Sequence, residues 1–214
     1  MQYPFIHLRS QSSYSLSEGA LKIEKLVNLA KKNNMPAIAL TDNNNMFGIL
    51  EFSIACINNS IQPIIGTSIN YLDIQTKEHP SQLNFLVMNE EGYINLLYLS
   101  SISHTSGNNP IGIYHKDLKK YTNGLICYIG GEYNPLLILK HQNQIETISA
   151  FIEKFQNMFD QDFLFEIQRV QDPEIDEKLN LTINKAQKRT VNYALSNTFG
   201  FGGHNASVLF KKHQ

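Results

Sequence analysis

Cysteine is scarce in this sequence of 214 residues, with two in all and no CxxC pair, which removes the usual signatures of a zinc ribbon or a dithiol redox site. Both thiols sit inside apolar runs, Ser53-Ile54-Ala55-Cys56-Ile57 and Leu125-Ile126-Cys127-Tyr128-Ile129, so they are expected to be free, buried and kept in a reducing compartment. No uninterrupted apolar run approaches the ~20 residues of a membrane span. The start, Met1-Gln2-Tyr3-Pro4, has neither the basic opening nor the apolar stretch of a secretory signal. The expectation is a cytoplasmic protein with no membrane partner. Charge of one sign is missing as well: 18 basic and 19 acidic side chains give a net charge of -1. The whole-chain electrostatic footprint of a nucleic-acid binder is therefore absent, and no direct DNA binding is expected.

What is present is an ordinary globular composition, 42% hydrophobic and 17% charged. Short apolar runs alternate with helical patterns, which is the mark of an α/β fold. Strands are expected at Phe5–Leu8, Ala37–Leu40, Pro63–Gly66, Asn84–Met88, Gly124–Ile129 and Phe163–Ile167. Helices are expected over 18–33, with Ser17 as N-cap, and over 46–58, 93–103, 145–159 and 172–189. After residue 190 the character changes. Val191–Leu195 and Ala206–Phe210 flank a glycine-rich turn and read as an appended β-hairpin. Gly200-Phe201-Gly202-Gly203 leads into strand residues rather than a helix, so it is not a phosphate cradle.

In barrels and doubly wound sheets the chemistry collects in loops after the strands. Those loops hold Arg9 and Gln11, Asp42 and Asn43, and Thr67 and Ser68, with Glu18 soon after the first. Asp42 alone is a good ligand for a hard cation. His79, His104, His115, His141 and His213 lie in polar linkers or at the terminus, without HxH or HExxH spacing, and read as solvated surface histidines. His7 reads as a hydrogen-bonded residue of the first strand. Ser10, Ser12, Ser13, Ser15 and Ser17 crowd one loop with no adjacent base, and read as a helix-capping loop rather than as nucleophiles.

The segment Phe5-Ile6-His7-Leu8-Arg9-Ser10-Gln11-Ser12-Ser13-Tyr14-Ser15-Leu16-Ser17-Glu18-Gly19-Ala20 resembles the opening of the PHP (polymerase and histidinol phosphatase) domain of bacterial replicative DNA polymerases. The likeness continues through Met35-Pro36-Ala37-Ile38-Ala39-Leu40-Thr41-Asp42-Asn43-Asn44-Asn45-Met46-Phe47-Gly48, Ile61–Gly66, Asn89–Leu96 and Phe163–Arg169. It implies a distorted, truncated (β/α)7 barrel over residues 1–189. In its active members it implies metal ions at the strand ends that activate water for phosphoester hydrolysis. By the same resemblance, the metal-binding histidine pair falls on Arg9 and Gln11, a third histidine on Asn43 and a glutamate on Ser68. Further histidines fall on Gln82 and Val170, and only Glu18 keeps a carboxylate near an acidic position. An arginine in such a place cannot donate a lone pair and repels a cation. The expectation is thus a degenerate cleft with no metal and no cofactor. Its function would be docking, with the proofreading exonuclease subunit as the partner implied by the resemblance.

Residues 190–214 resemble the end of a β-ketoacyl-ACP synthase, without that family's catalytic residues. A fusion of this kind leaves two other readings open besides docking: a metal-dependent phosphoesterase or exonuclease, and a product of gene rearrangement with no function. In the fused chain two outcomes stand side by side: Val191–Ser196 pairs in parallel with the first or sixth strand and fills the slot of a lost barrel strand, or it pairs only with 206–210 in a loose surface hairpin or is disordered.

Overall fold

A computed structural model describes residues 6–77, 79–131, 133–165, 193–200 and 204–211. In chain order the elements are α1 (Ile23–Lys32), β1 (Ala37–Leu40), α2 (Ile49–Asn58), β2 (Gln62–Gln75), β3 (Pro80–Val87), α3 (Glu90–Thr105), α4 (His115–Leu118) and β4 (Leu125–Ile129). They continue with α5 (Pro135–His141), α6 (Ile145–Phe159), β5 (Phe163–Phe165), β6 (Tyr193–Gly200) and β7 (His204–Lys211). The strand expected at Phe5–Leu8 is represented by a parallel bridge from His7 to Ile38. The helix expected over 172–189, and Val170 within the first domain, lie outside the described residues.

All four residues of β1 are buried, as a short apolar run covered on both faces requires. β1 pairs in parallel with β2, β2 and β3 are antiparallel, β3 and β4 are antiparallel, and β4 and β5 are parallel. The five-stranded order β1-β2-β3-β4-β5 therefore has one strand, β3, running against the rest. One face holds Ala39, Leu86, Tyr128 and Leu164, with Leu8, Ile64 and Ile126 packed against them. The Tyr128 hydroxyl donates to the Leu8 carbonyl at 3.0 Å, so the sheet curls until its fourth strand meets the chain's first segment. The other face carries two larger cores, one under α1 and α2 and one under α3, α5 and α6. At the centre of the second, Phe155 is fully buried, stacked on Phe151 at 4.3 Å and edge-on to Tyr71 at 5.7 Å. Its burial contributes roughly 1.5–3 kcal/mol by transfer from water alone. Among the described residues no helix is long and apolar enough to cross a membrane.

Several boundaries differ from the sequence reading, each for a local reason. α1 begins at Ile23 rather than Glu18, because Ser17 has a φ of 68° and turns the chain instead of capping a helix. α3 begins earlier, at Glu90, because the Asn89 side chain accepts from Gly92 N and caps it. β2 runs on to Gln75, which moves Thr67 and Ser68 from a loop into a strand. Of the two outcomes open for Val191–Ser196, the filling of a barrel slot is not found at the described residues Tyr193–Ser196. Among the described residues β6 pairs only with β7, antiparallel from Tyr193↔Lys211 to Gly200↔His204.

Cys56 and Cys127 are free and fully buried, as expected. Burial pushes the Cys56 thiol up to about 11 and the Cys127 thiol well above its ordinary value, so neither is a thiolate at neutral pH.

His115 departs from the expectation of a solvated surface histidine. Its Nδ1 is buried without a hydrogen-bond partner, and its ring lies 6.0 Å from that of Phe155. Burial lowers its pKa, Lys154 and Lys119 lower it further, and Asp73 opposes them. A histidine with a lowered folded-state pKa binds its proton more readily when unfolded. Its contribution is complete above the ordinary value of 6.5 and is lost as pH falls from there through the folded-state pKa. Thermal melts from pH 7.5 down to 5 should show falling stability, and His115→Phe should flatten that fall. An unchanged slope in the variant would show that other groups govern it.

Candidate functional site

The first loop and the loop after β1 meet through their backbones. Thr41 N donates to Ser10 O at 2.8 Å, and Ala39 N to His7 O at 2.8 Å. This brings the serine-rich segment over Asp42, whose side chain is 2% exposed. Asp42 Oδ1 accepts from Ser12 N at 2.6 Å and from Ser15 Oγ at 2.6 Å, and Oδ2 accepts from Ser12 Oγ at 2.7 Å. Hydrogen bonds to a carboxylate are short and about twice as strong as neutral ones, so three of them stabilise its charge inside the protein. Sequence reasoning missed this role of Ser12 and Ser15. The signal that could have found it is two serines three apart in a loop that precedes the only hard-ligand carboxylate of the strand ends.

Asn43 joins two further residues of the set. Its Oδ1 accepts from Gln11 Nε2 at 3.0 Å, and its Nδ2 donates to the Glu18 carboxylate. A carboxamide can do both at once because it carries an acceptor and two donors on one planar group. Asn43 N also donates to Ser15 Oγ at 3.0 Å, which ties the amide chain to the Asp42 cluster.

Ser68 and Gln82 stand one strand further on. Ser68 N donates to Asp42 O at 3.1 Å, and its hydroxyl donates to Asn84 Oδ1 at 2.7 Å. Asn84 Nδ2 in turn donates to Tyr128 O at 3.2 Å. Gln82 Nε2 reaches Asn70 Oδ1 at 3.4 Å, at the long limit of a hydrogen bond. Asn70, Asn84 and Tyr128 were absent from the sequence-based set, since a polar residue inside an apolar strand reads as facing solvent. Arg9 lies at the rim, where its guanidinium fills the space a Cβ on Gly131 would take: Nη1 is 2.0 Å from that position. Gly131 has a φ of +81°, so glycine serves both the turn and the close approach. A cavity of about 410 Å³ opens beside His7, Arg9, Gln11 and Glu18, with Leu26 and Leu29 of α1 on its other wall.

The seven sequence-predicted positions are thus gathered around one end of the sheet, five of them in a continuous polar network. As a donor set they do not fit a metal ion. An arginine, three carboxamides and a hydroxyl stand in place of anionic or imidazole ligands, and the buried carboxylate already accepts three hydrogen bonds from serine donors. Among the described residues no three histidine, cysteine, aspartate or glutamate side chains are placed to hold a metal.

Comparison with known proteins places the chain. The PHP domain pattern matches residues 7–170. The DNA polymerase III subunit alpha of Rickettsia conorii is 41% identical over 180 residues, covering 81% of this chain and 15% of its own length. That of Borreliella burgdorferi is 40% identical over 183 residues, covering 77% of this chain and 15% of its own. The chain therefore spans about 15% of the length of these curated relatives. Among solved structures, an amidohydrolase from Chromobacterium violaceum with bound sulfate and no metal aligns at a TM-score of 0.37 and 20% identity, over 46% of this chain and 32% of that one. The synthase-like reading of residues 190–214 receives no support from these matches.

Proposed function

Because the chain belongs to the PHP domain family, in the form carried by the DNA polymerase III alpha subunit, we propose that it is a docking module of DNA replication with a metal-free cleft. The observation that supports the reading is the engagement of the cleft's polar side chains with one another. Gln11, Asn43 and Glu18 satisfy one another, and Ser12 and Ser15 satisfy Asp42. A phosphoesterase of this family needs water on a metal as its nucleophile. Among the described residues the cleft offers no exposed, activated nucleophile in its place: Ser12 and Ser15 are buried and hold Asp42, whose carboxylate is occupied by three donors. The partner favoured by the resemblance is the proofreading exonuclease subunit, and the polymerase reaction itself lies in the part of the relatives that this chain does not span.

Two measurements test the reading. Elemental analysis of the purified chain should give less than about one metal ion per ten chains, and phosphoester hydrolysis should not exceed that of buffer. Two or three tightly held ions per chain, with hydrolysis that a chelator abolishes, would replace docking by the phosphoesterase reading. The second measurement is co-purification with the exonuclease subunit, which should be retained in moderate salt. A chain that holds neither metal nor subunit would favour the rearrangement product.

A further inference from the structure

α2 has the sequence Ile49-Leu50-Glu51-Phe52-Ser53-Ile54-Ala55-Cys56-Ile57-Asn58, apolar on nearly every side. A helix of that kind belongs between two layers. Ile49, Phe52 and Cys56 face the core, while Leu50, Ile54 and Ile57, spaced i, i+4 and i+7, form a line on the outside, 73%, 52% and 67% exposed. α3 lies beside it in the opposite direction. Phe47, just before α2, meets the His104 ring near the end of α3 at 6.4 Å, and Tyr93, near its start, packs against the cluster that buries Phe52 and Cys56. Ile94 and Leu97 share a line of α3 with His104, so the side of α3 turned toward α2 is also apolar and exposed. Together Phe47, Leu50, Ile54, Ile57, Ile94 and Leu97 make a two-helix face, which is too extended for scattered surface hydrophobics.

Charge indicates what covers it. Between Lys32 and Lys116 the sequence has one lysine, Lys77, in the turn between β2 and β3, and no arginine. The charges on these two helices are Glu51, Glu90 and Glu91, and Glu90 heads the same line of α3 as Ile94 and Leu97. We propose that the α2–α3 face docks an amphipathic helix of another protein whose apolar stripe is bordered by lysine or arginine, a proposal that rests on the docking reading above and names its surface. A second copy of this chain fits less well. Its lysine-bearing helix α1 turns Ile23, Leu26, Val27 and Ala30 inward and has no outer apolar stripe to offer. An anionic lipid surface is repelled by the same glutamates.

The test uses the full chain and two fluorescent peptides of about 18 residues, one with leucine and lysine at amphipathic helical spacing and one with glutamate in place of lysine. The lysine peptide should bind at least about tenfold more tightly than its counterpart. Ile54→Asp with Leu97→Asp should weaken it about tenfold or more, and Glu90→Lys several-fold, while Leu137→Asp on another exposed site should leave it unchanged. Circular dichroism checks that the variants fold, and Leu50→Ser replaces the double variant should that one not. Equal binding of the two peptides overturns the proposal, as does wild-type binding by the variants. So does a concentration-dependent dimer that the same substitutions abolish. The exonuclease subunit is then measured against wild type and variants. Binding to wild type alone supports both readings, and equal binding to both removes this face but keeps docking. Binding to neither removes that partner and leaves the peptides to decide the face.

Discussion

Asp42→Ala should destabilise the protein by about 3–5 kcal/mol, lowering the melting temperature on the order of 10 °C. The carboxylate is the acceptor for Ser12 N, Ser12 Oγ and Ser15 Oγ, and both serines are buried, 0% and 2% exposed. Each buried donor left without an acceptor costs about 1–3 kcal/mol, and water entering the new space recovers part of that sum. Asp42→Asn separates a hydrogen-bonding role from a need for charge. Its remaining oxygen can still accept from Ser12 N and Ser15 Oγ, and its amide can donate to the Ser12 hydroxyl, which rotates to accept. The asparagine variant should therefore lose only about 1–2 kcal/mol. Equal losses for the two substitutions would mean that the negative charge itself is needed, which is the behaviour of a ligand and not of a structural acceptor.

How much of this was legible beforehand differs between elements. α6 lies where its apolar spacing places it, residues 145–159, because a long amphipathic helix is specified by many residues at once. β1 was legible for the same reason in miniature, four apolar residues between Pro36 and a polar loop. β2 was cut short at Gly66 because Thr67, Ser68, Asn70 and Asp73 look like loop residues. In the structure Thr67 and Ser68 are fully buried, their hydroxyls bonded to Asp42 O and Asn84 Oδ1. A sequence reports polarity and does not report whether a polar group has found a partner inside. The site shows the same limit. Residue types at the cleft positions were enough to raise the expectation of an unsuitable donor set, whereas the serine cradle and the amide chain depend on which loops touch. Contacts between residues 25 to 32 positions apart leave no periodic trace.

Gly19→Ala should cost on the order of 3 kcal/mol, with the damage confined to the serine cradle. A Cβ on Gly19 would stand 1.7 Å from the Ser12 carbonyl oxygen and 2.5 Å from its carbon. Those are backbone atoms, so a side-chain rotation cannot relieve the clash. The turn is held from both ends, by Gly19 N donating to Ser15 O at 2.8 Å and by Ser13 N donating to Leu21 O at 2.8 Å. The added methyl must therefore push Ser12 away, and Ser12 supplies two of the three hydrogen bonds to Asp42. If the two substitutions act through the same contact, their effects cannot add. Gly19→Ala made on top of Asp42→Ala should cost about 1 kcal/mol or less, because the hydrogen bonds it would break are already gone. Thermal or denaturant melts of the wild type, both single variants and the double variant complete the cycle. Simple additivity would show that Gly19 guards something other than the Asp42 cradle, and would detach the conformation of the first loop from the integrity of the cleft.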